Sequence, residues 1–264
     1  MLKKLLKYDL IWIDKFLMFY AIAPLVALGL EQFTNHMVNT RSQTIWTILD
    51  RIAVNVLISA VAALFITAFV RSMARFHQTC YKDASYLTHT LPVARGTVYT
   101  EKFLAGLISL LGTGIVAALC LLIASVPHDG WNKVFDLLRR SDVRLFVLLG
   151  ALVVAMELAF MLLTAMLGFV LGQRAVRGKT WRSVLLAAVL YVTLSAIPLL
   201  VTFAAIRFIP SIHEFYYNSD GFTSIRPFGP LNLNFAIIAG TYAVVNSLLF
   251  VIGRRLFCKG VNVE

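Results

Sequence analysis

Charge is scarce in this chain, and acidic charge is the scarcest. Only 14% of the 264 residues are Asp, Glu, Lys or Arg, and 13 acids stand against 24 bases. A soluble domain carries about 25% charged residues, so the polar surface that a water-facing fold needs is missing. Cysteine is also rare. Cys80, Cys120 and Cys258 share no spacing, which argues against a disulfide framework or a metal-binding set. His36, His77, His89, His128 and His213 are scattered without ligand spacing. No His-Glu-x-x-His run, no Ser/His/Asp or Cys/His arrangement and no pair of carboxylates within one apolar run is present, so a membrane hydrolase has little support. Nor does any polar stretch, linker or strong internal repeat mark out a separate soluble domain.

Apolar sequence dominates instead. Hydrophobic residues make up 59% of the chain and the mean hydropathy is +0.81. Crossing the hydrocarbon core takes about 20 residues of helix. Six runs come near that length, at 16–30, 52–70, 103–126, 143–172, 183–206 and 235–253. The expected fold is an all-α integral membrane protein with six transmembrane helices in a single transmembrane domain over 1–264. Pro24 and Pro198 fall inside two of the runs and predict kinks. Gly106, Gly112 and Gly114 in the third run would allow close helix approach.

Residues 1–15 lack the small-residue cleavage site of a signal peptide. On a helical wheel Leu2, Leu5, Leu6, Trp12 and Ile13 share one face, and Lys3, Lys4, Lys7, Asp14 and Lys15 the other. That pattern predicts an interfacial amphipathic helix with its lysines toward acidic headgroups. Asp9 falls on the apolar side with no evident partner. The first run is short for a span unless Glu31 snorkels or the entry helix lends it length.

The net charge of +11 is spread in short clusters beside the apolar runs, which favours anchoring in a lipid bilayer over a nucleic-acid face. With the N-terminus inside, the inner segments hold twice as many Lys and Arg as the outer ones. Both termini are therefore expected in the cytoplasm, in the plasma membrane. Outside, residues 127–144 place Trp131, Val134, Phe135 and Leu138 opposite Lys133, Asp136, Arg139 and Arg140, a surface helix. The outer segment 207–234 is rich in aromatics, with Asp220-Gly221 as a turn signal and Pro210, Pro227 and Pro230 preventing one long helix. It reads as an interfacial belt, with an outer lid over a path as the functional alternative.

Gly172 to Thr180, GQRAVRGKT, nearly spells a phosphate-binding loop. Five residues separate its glycines where the motif needs four, and an apolar span precedes it where the motif needs a buried strand. No nucleotide site is expected on this chain. Glu157 lies near the middle of the fourth run, where an ionisable group costs about 2.5–3.5 kcal/mol unless paired, protonated or wet. It is expected in a substrate path or in a subunit-interface hydrogen bond, or else protonated and bonded to a neighbouring helix, for example through Asn55, Thr67 or Asn246. Asn55, Ser59, Asn246 and Ser247 suit interhelical hydrogen bonds.

The longest inner polar segment runs over 71–102. Asp83 can cap a short helix starting at Ala84, Pro92 ends it, Arg95-Gly96 reads as a turn, and Thr97 can cap the next helix with Glu101 in its first turns. The stretch Tyr81-Lys82-Asp83-Ala84-Ser85-Tyr86-Leu87-Thr88-His89-Thr90-Leu91-Pro92-Val93-Ala94-Arg95-Gly96, with Lys102 after it, resembles the cytoplasmic loop of ABC-2 type transporter permeases. The likeness rests on Tyr86, Leu87, Thr90, Leu91, Pro92, Val93, Arg95 and Lys102, and departs at Ala84-Ser85, where related sequences often have an acidic residue and Gly. The resemblance implies a coupling helix between spans 2 and 3 that docks on a cytoplasmic ABC ATPase subunit. Tyr86, Leu87 and Leu91 would pack into the ATPase, with Asp83 and Arg95 at the rim. It also implies a second permease copy or related permease, and ATP with Mg held on the ATPase partner and not on this chain. Export of peptides, lipids or other amphiphiles follows by the same analogy. The alternatives from other classes are an ATP-independent secondary carrier titrating on Glu157, a peptide-toxin immunity protein, or a sensor subunit.

Overall fold

The computed structural model describes residues 2–41, 44–81, 94–126, 130–173, 179–217 and 229–259. Every element among them is a helix: α1 Leu2–Arg41, α2 Thr44–Tyr81, α3 Arg95–Ser125, α4 Trp131–Arg139, α5 Ser141–Gly172, α6 Lys179–Phe208, α7 Pro210–Tyr217 and α8 Gly229–Cys258. Six of these are long and apolar enough to cross a membrane: the Leu17–Val38 part of α1, then α2, α3, α5, α6 from Thr180, and α8. A helix suits such a chain because it satisfies every backbone N–H and C=O within itself, with no water required.

Several helices outrun the expected spans. No break separates residues 1–15 from the first span; α1 is one helix of 40 residues, continuous through Pro24. At 1.5 Å per residue that is about 60 Å, twice the hydrocarbon thickness. The span boundary expected at Leu30 is corrected accordingly. Glu31 is buried and accepts a bond from Gln32 Nε2 at 3.0 Å, so it does not reach outward on its own. Likewise α2 runs eleven residues beyond Val70, so the first third of the expected polar loop is helical. The reason is packing. Ser72, Met73, Phe76, Thr79 and Cys80 on that extension are all buried. The restart also moves, since α3 begins at Arg95 with extended Ala94 as its N-cap. Thr97 N–H already bonds Ala94 O at 2.8 Å inside the first turn, so Arg95-Gly96 is helix and Thr97 is not the cap. α6 is continuous through Pro198. Residues 82–93, with the expected short helix, lie outside the described residues, as do 174–178 and 218–228.

The chain divides into two compact units, 1–131 and 132–264. In the first, α1, α2 and α3 pack against one another. Ala27, Leu57 and Cys120, one from each helix, form its buried centre, with Ala60, Val61 and Val116 around them. Near the far end from residues 82–93, Gln32 Nε2 donates to Ile123 O at 3.2 Å, joining α1 to α3. In the second unit α5 is the hub, packed on α6 and α8, with Leu158–Phe160 and Leu162–Val170 buried. Asn232 Nδ2 donates to Asp142 O and Asn246 Nδ2 to Met156 O, both pairs 90 residues apart. A constant offset means that α5 and α8 run parallel in one register. α6 runs antiparallel to α5, with Gly172 against Ser183 and Gly168 against Ala187. A Cβ built on either glycine would come within 2.4 Å of that partner's backbone. This is the close approach that small residues four apart permit between membrane helices. The sequence pointed to the third span for it, but Gly112 there has nothing within 4 Å of where a Cβ would stand.

Candidate functional site

Four charged side chains meet where α1, α2 and α3 approach the ends of the 82–93 segment. Asp9, the acid with no evident partner in the sequence, is 3% exposed. Its Oδ1 accepts from Arg75 Nε at 3.0 Å and lies 2.9 Å from Arg75 Nη2. Its Oδ2 is bonded by Lys102 Nζ. Lys102 Nζ also lies 3.4 Å from Glu101 Oε2, and Glu101 is 1% exposed. Two acids and two bases balance formally, and Asp9 is both paired and hydrogen-bonded, which is how charge survives out of water. Glu101 Oε1 is buried with no hydrogen-bond partner among the described residues.

Helical geometry builds the site. Asp9 occupies the face of α1 that also carries buried Ile13, while Lys3, Lys4, Lys7 and Lys15 are exposed. Five residues on from Asp9, Asp14 Oδ1 accepts from Ser109 Oγ of α3 at 2.9 Å, a second polar stitch along the same seam. The Trp12 ring is in cation–π contact with two guanidiniums of α2, 5.1 Å from that of Arg75 and 5.7 Å from that of Arg71. Phe76 packs edge-on against Tyr81 at 5.8 Å and Tyr99 at 6.5 Å, closing the apolar wall beside the ions. Arg75 is six residues before the end of α2, and Lys102 is seven residues after the start of α3. Both roots of the 82–93 segment are thus fastened to one carboxylate on α1. A displacement of either root strains ion pairs that are costly to break from one side.

Of the residues assigned to ATPase docking, Asp83, Tyr86, Leu87 and Leu91 lie outside the described residues. Arg95 is exposed at the first position of α3. The intramembrane polar candidates separate. Glu157 is half-buried, and its Oε1 accepts from Tyr191 Oη of α6 at 2.9 Å. Its Oε2 is buried with no hydrogen-bond partner within bonding distance among the described residues, and Tyr242 of α8 is the other hydroxyl that interacts with this carboxyl. The partner is therefore Tyr191, not Asn55, Thr67 or Asn246. Asn246 is 8% exposed and does bridge helices, through Met156 O at 2.9 Å, with its Oδ1 left without a partner. Asn55 does not bridge helices: it is exposed and donates to Arg51 O of its own helix at 3.0 Å. Ser59, Thr67 and Ser247 likewise bond back to carbonyls three or four residues earlier. Such back-bonding satisfies a hydroxyl in lipid without a neighbour.

The sequence reading missed the ionic cluster. Its signal was present in an acid on an apolar face and in Lys102 at the start of a span, but nothing local joined residues 93 positions apart. The Gly172 to Thr180 stretch follows a helix, and its last two residues open another, so the strand that a phosphate loop requires is not there.

These features define a multi-pass helical membrane protein with a buried charge cluster at one end of its first three spans. No family model, curated protein or solved structure matches the chain.

Proposed function

We propose that this chain is the membrane-spanning permease subunit of an ATP-driven transporter of the ABC-2 type, and that it exports peptides, lipids or other amphiphiles. The observation that carries the proposal is the convergence of Arg75 and Lys102, at the two roots of the segment resembling a coupling loop, on Asp9 of α1. A loop that receives force needs roots that transmit it, and this one is tied to a third helix by buried ion pairs. The six apolar helices support the membrane part of the proposal. The ABC-2 part rests on the residues from Tyr81 to Gly96 and on Lys102. ATP and Mg belong to a separate cytoplasmic ATPase, and a second permease completes the path. Both termini would lie in the cytoplasm of the plasma membrane.

The test is association with a candidate ATPase after Leu87→Asp or Leu91→Asp. Loss of co-purification and of coupled ATP hydrolysis is expected. Undiminished association and coupling would overturn the docking assignment. A second reading is favoured by Glu157, whose Oε2 is buried without a partner near mid-span. A proton-coupled carrier would use that carboxyl. Transport that survives ATP depletion, stops when the proton gradient is collapsed and is lost in Glu157→Gln would select it.

A further inference from the structure

An open groove of about 660 Å³ runs along the first unit between Trp12 of α1 and one stripe of α2, Ile66, Val70, Ala74 and Gln78, with Arg71 beside it. The stripe residues are four apart, so they line a single helix face about 18 Å long. The groove is graded along that length. At its membrane end Ile66 and Val70 are 62% and 55% exposed, and the one polar residue between them, Thr67, has its hydroxyl bonded back to Ala63 O. At its other end stand Arg71 and Gln78, beyond the apolar run that closes at Val70. Trp12 lies at the changeover, against the guanidiniums of Arg71 and Arg75. Apolar wall, indole, cation and amide follow one another in the order in which a phospholipid presents acyl chain, glycerol and phosphate.

We propose that this groove is a binding site for one anionic phospholipid, with its phosphate on Arg71 and its acyl chain along Ile66 and Val70. Charge complementarity selects the lipid class. Guanidinium offers a planar fork of five N–H donors that suits phosphate oxygens and can serve more than one partner. The Asp9 carboxylate close by is already engaged by Arg75 and Lys102, so it does not compete for the headgroup. Basic pockets between membrane helices at the headgroup level bind such lipids by the same chemistry. The proposal uses none of the residues assigned to ATPase docking and stands whether or not the chain is a permease.

The probe is the full chain in nanodiscs of equal phosphatidylglycerol and phosphatidylcholine, followed by native mass spectrometry of the released protein. Wild type is expected to retain one phosphatidylglycerol in preference to phosphatidylcholine. Arg71→Gln should lower that retention about fivefold, the weight of one basic side chain at an anionic surface. Arg71→Lys should restore part of it, which excludes a folding defect. Lys3→Gln with Lys7→Gln, on the exposed face of α1, should leave it unchanged. Equal retention of the two lipids, no effect of Arg71→Gln, loss carried by the Lys3 and Lys7 changes instead, or displacement by millimolar inorganic phosphate as readily as by lipid would each overturn the proposal.

Discussion

The two units solve the same packing problem by different means. The first, α1 to α3, closes its end near residues 82–93 with ions: Asp9, Arg75, Lys102 and Glu101 are gathered where three helices meet. The second, α5 to α8, is held by close steric fit and single hydrogen bonds between helices: Gly168 and Gly172 against Ala187 and Ser183, Asn246 on Met156 O, Tyr191 on Glu157. Its hub helix α5 carries an almost unbroken buried stretch over 158–170. A steric seam resists movement at every point along it. An ionic junction is stiff while it is intact and yields once one member is displaced, because interactions of this kind are discrete and costly to leave half-made. On the proposed function, the first unit is the one that takes up a displacement and the second the one that stays put.

The sharpest way to break this contrast is Asp9→Ala. It leaves Arg75 without its carboxylate and Lys102 with only Glu101 at 3.4 Å, and the Lys102 side chain is only 8% exposed. Stability in detergent should fall by about 3–5 kcal/mol, the cost of breaking a buried pair from one side. Thermal unfolding followed by tryptophan fluorescence checks this, and a change near zero would mean that water or another group already solvates the site. Next comes Gly168→Leu. The side chain must push α6 away at Ala187, costing about 1–3 kcal/mol by overpacking, and the loss should appear as earlier proteolysis within 132–264 while 1–131 stays protected. Tyr191→Phe removes the hydroxyl that reaches Glu157 and should cost only about 0.6 kcal/mol, the mean for hydrogen bonds between membrane helices; the same thermal assay resolves it. The smallest effect belongs to Arg139→Gln on α4. Its 3.6 Å pair with Asp136 is largely exposed, so no measurable change in melting temperature is expected.

Much of the fold was legible because lipid imposes so few solutions. Each apolar run became a helix, and the amphipathic spacing of Trp131, Val134, Phe135 and Leu138 marked α4, whose apolar residues are not buried in the chain. Helix ends were less legible, because hydropathy reports where the hydrocarbon stops and not where the helix does. Residues 71–81 are polar enough to look like loop, yet Phe76 and Cys80 bury against neighbours that no local pattern shows. At Gly112 close packing was misplaced for a related reason, while Gly106 of the same helix is buried. Gly112 and Gly168 look alike in sequence, but only Gly168 meets a small residue on the facing helix. The cluster itself was half visible: Asp9 stood out as anomalous, and its partners were set by the return of the chain 66 and 93 residues later.

The central claim is that the roots of the 82–93 segment are energetically joined to α1 through one carboxylate. A double-mutant cycle of Asp9→Asn and Lys102→Met, read as unfolding free energy of the full chain, tests it most directly. The pair should show a coupling of about 2 kcal/mol or more. Effects that simply add, to within about 0.5 kcal/mol, would mean that the two residues act independently and that the roots are not fastened there.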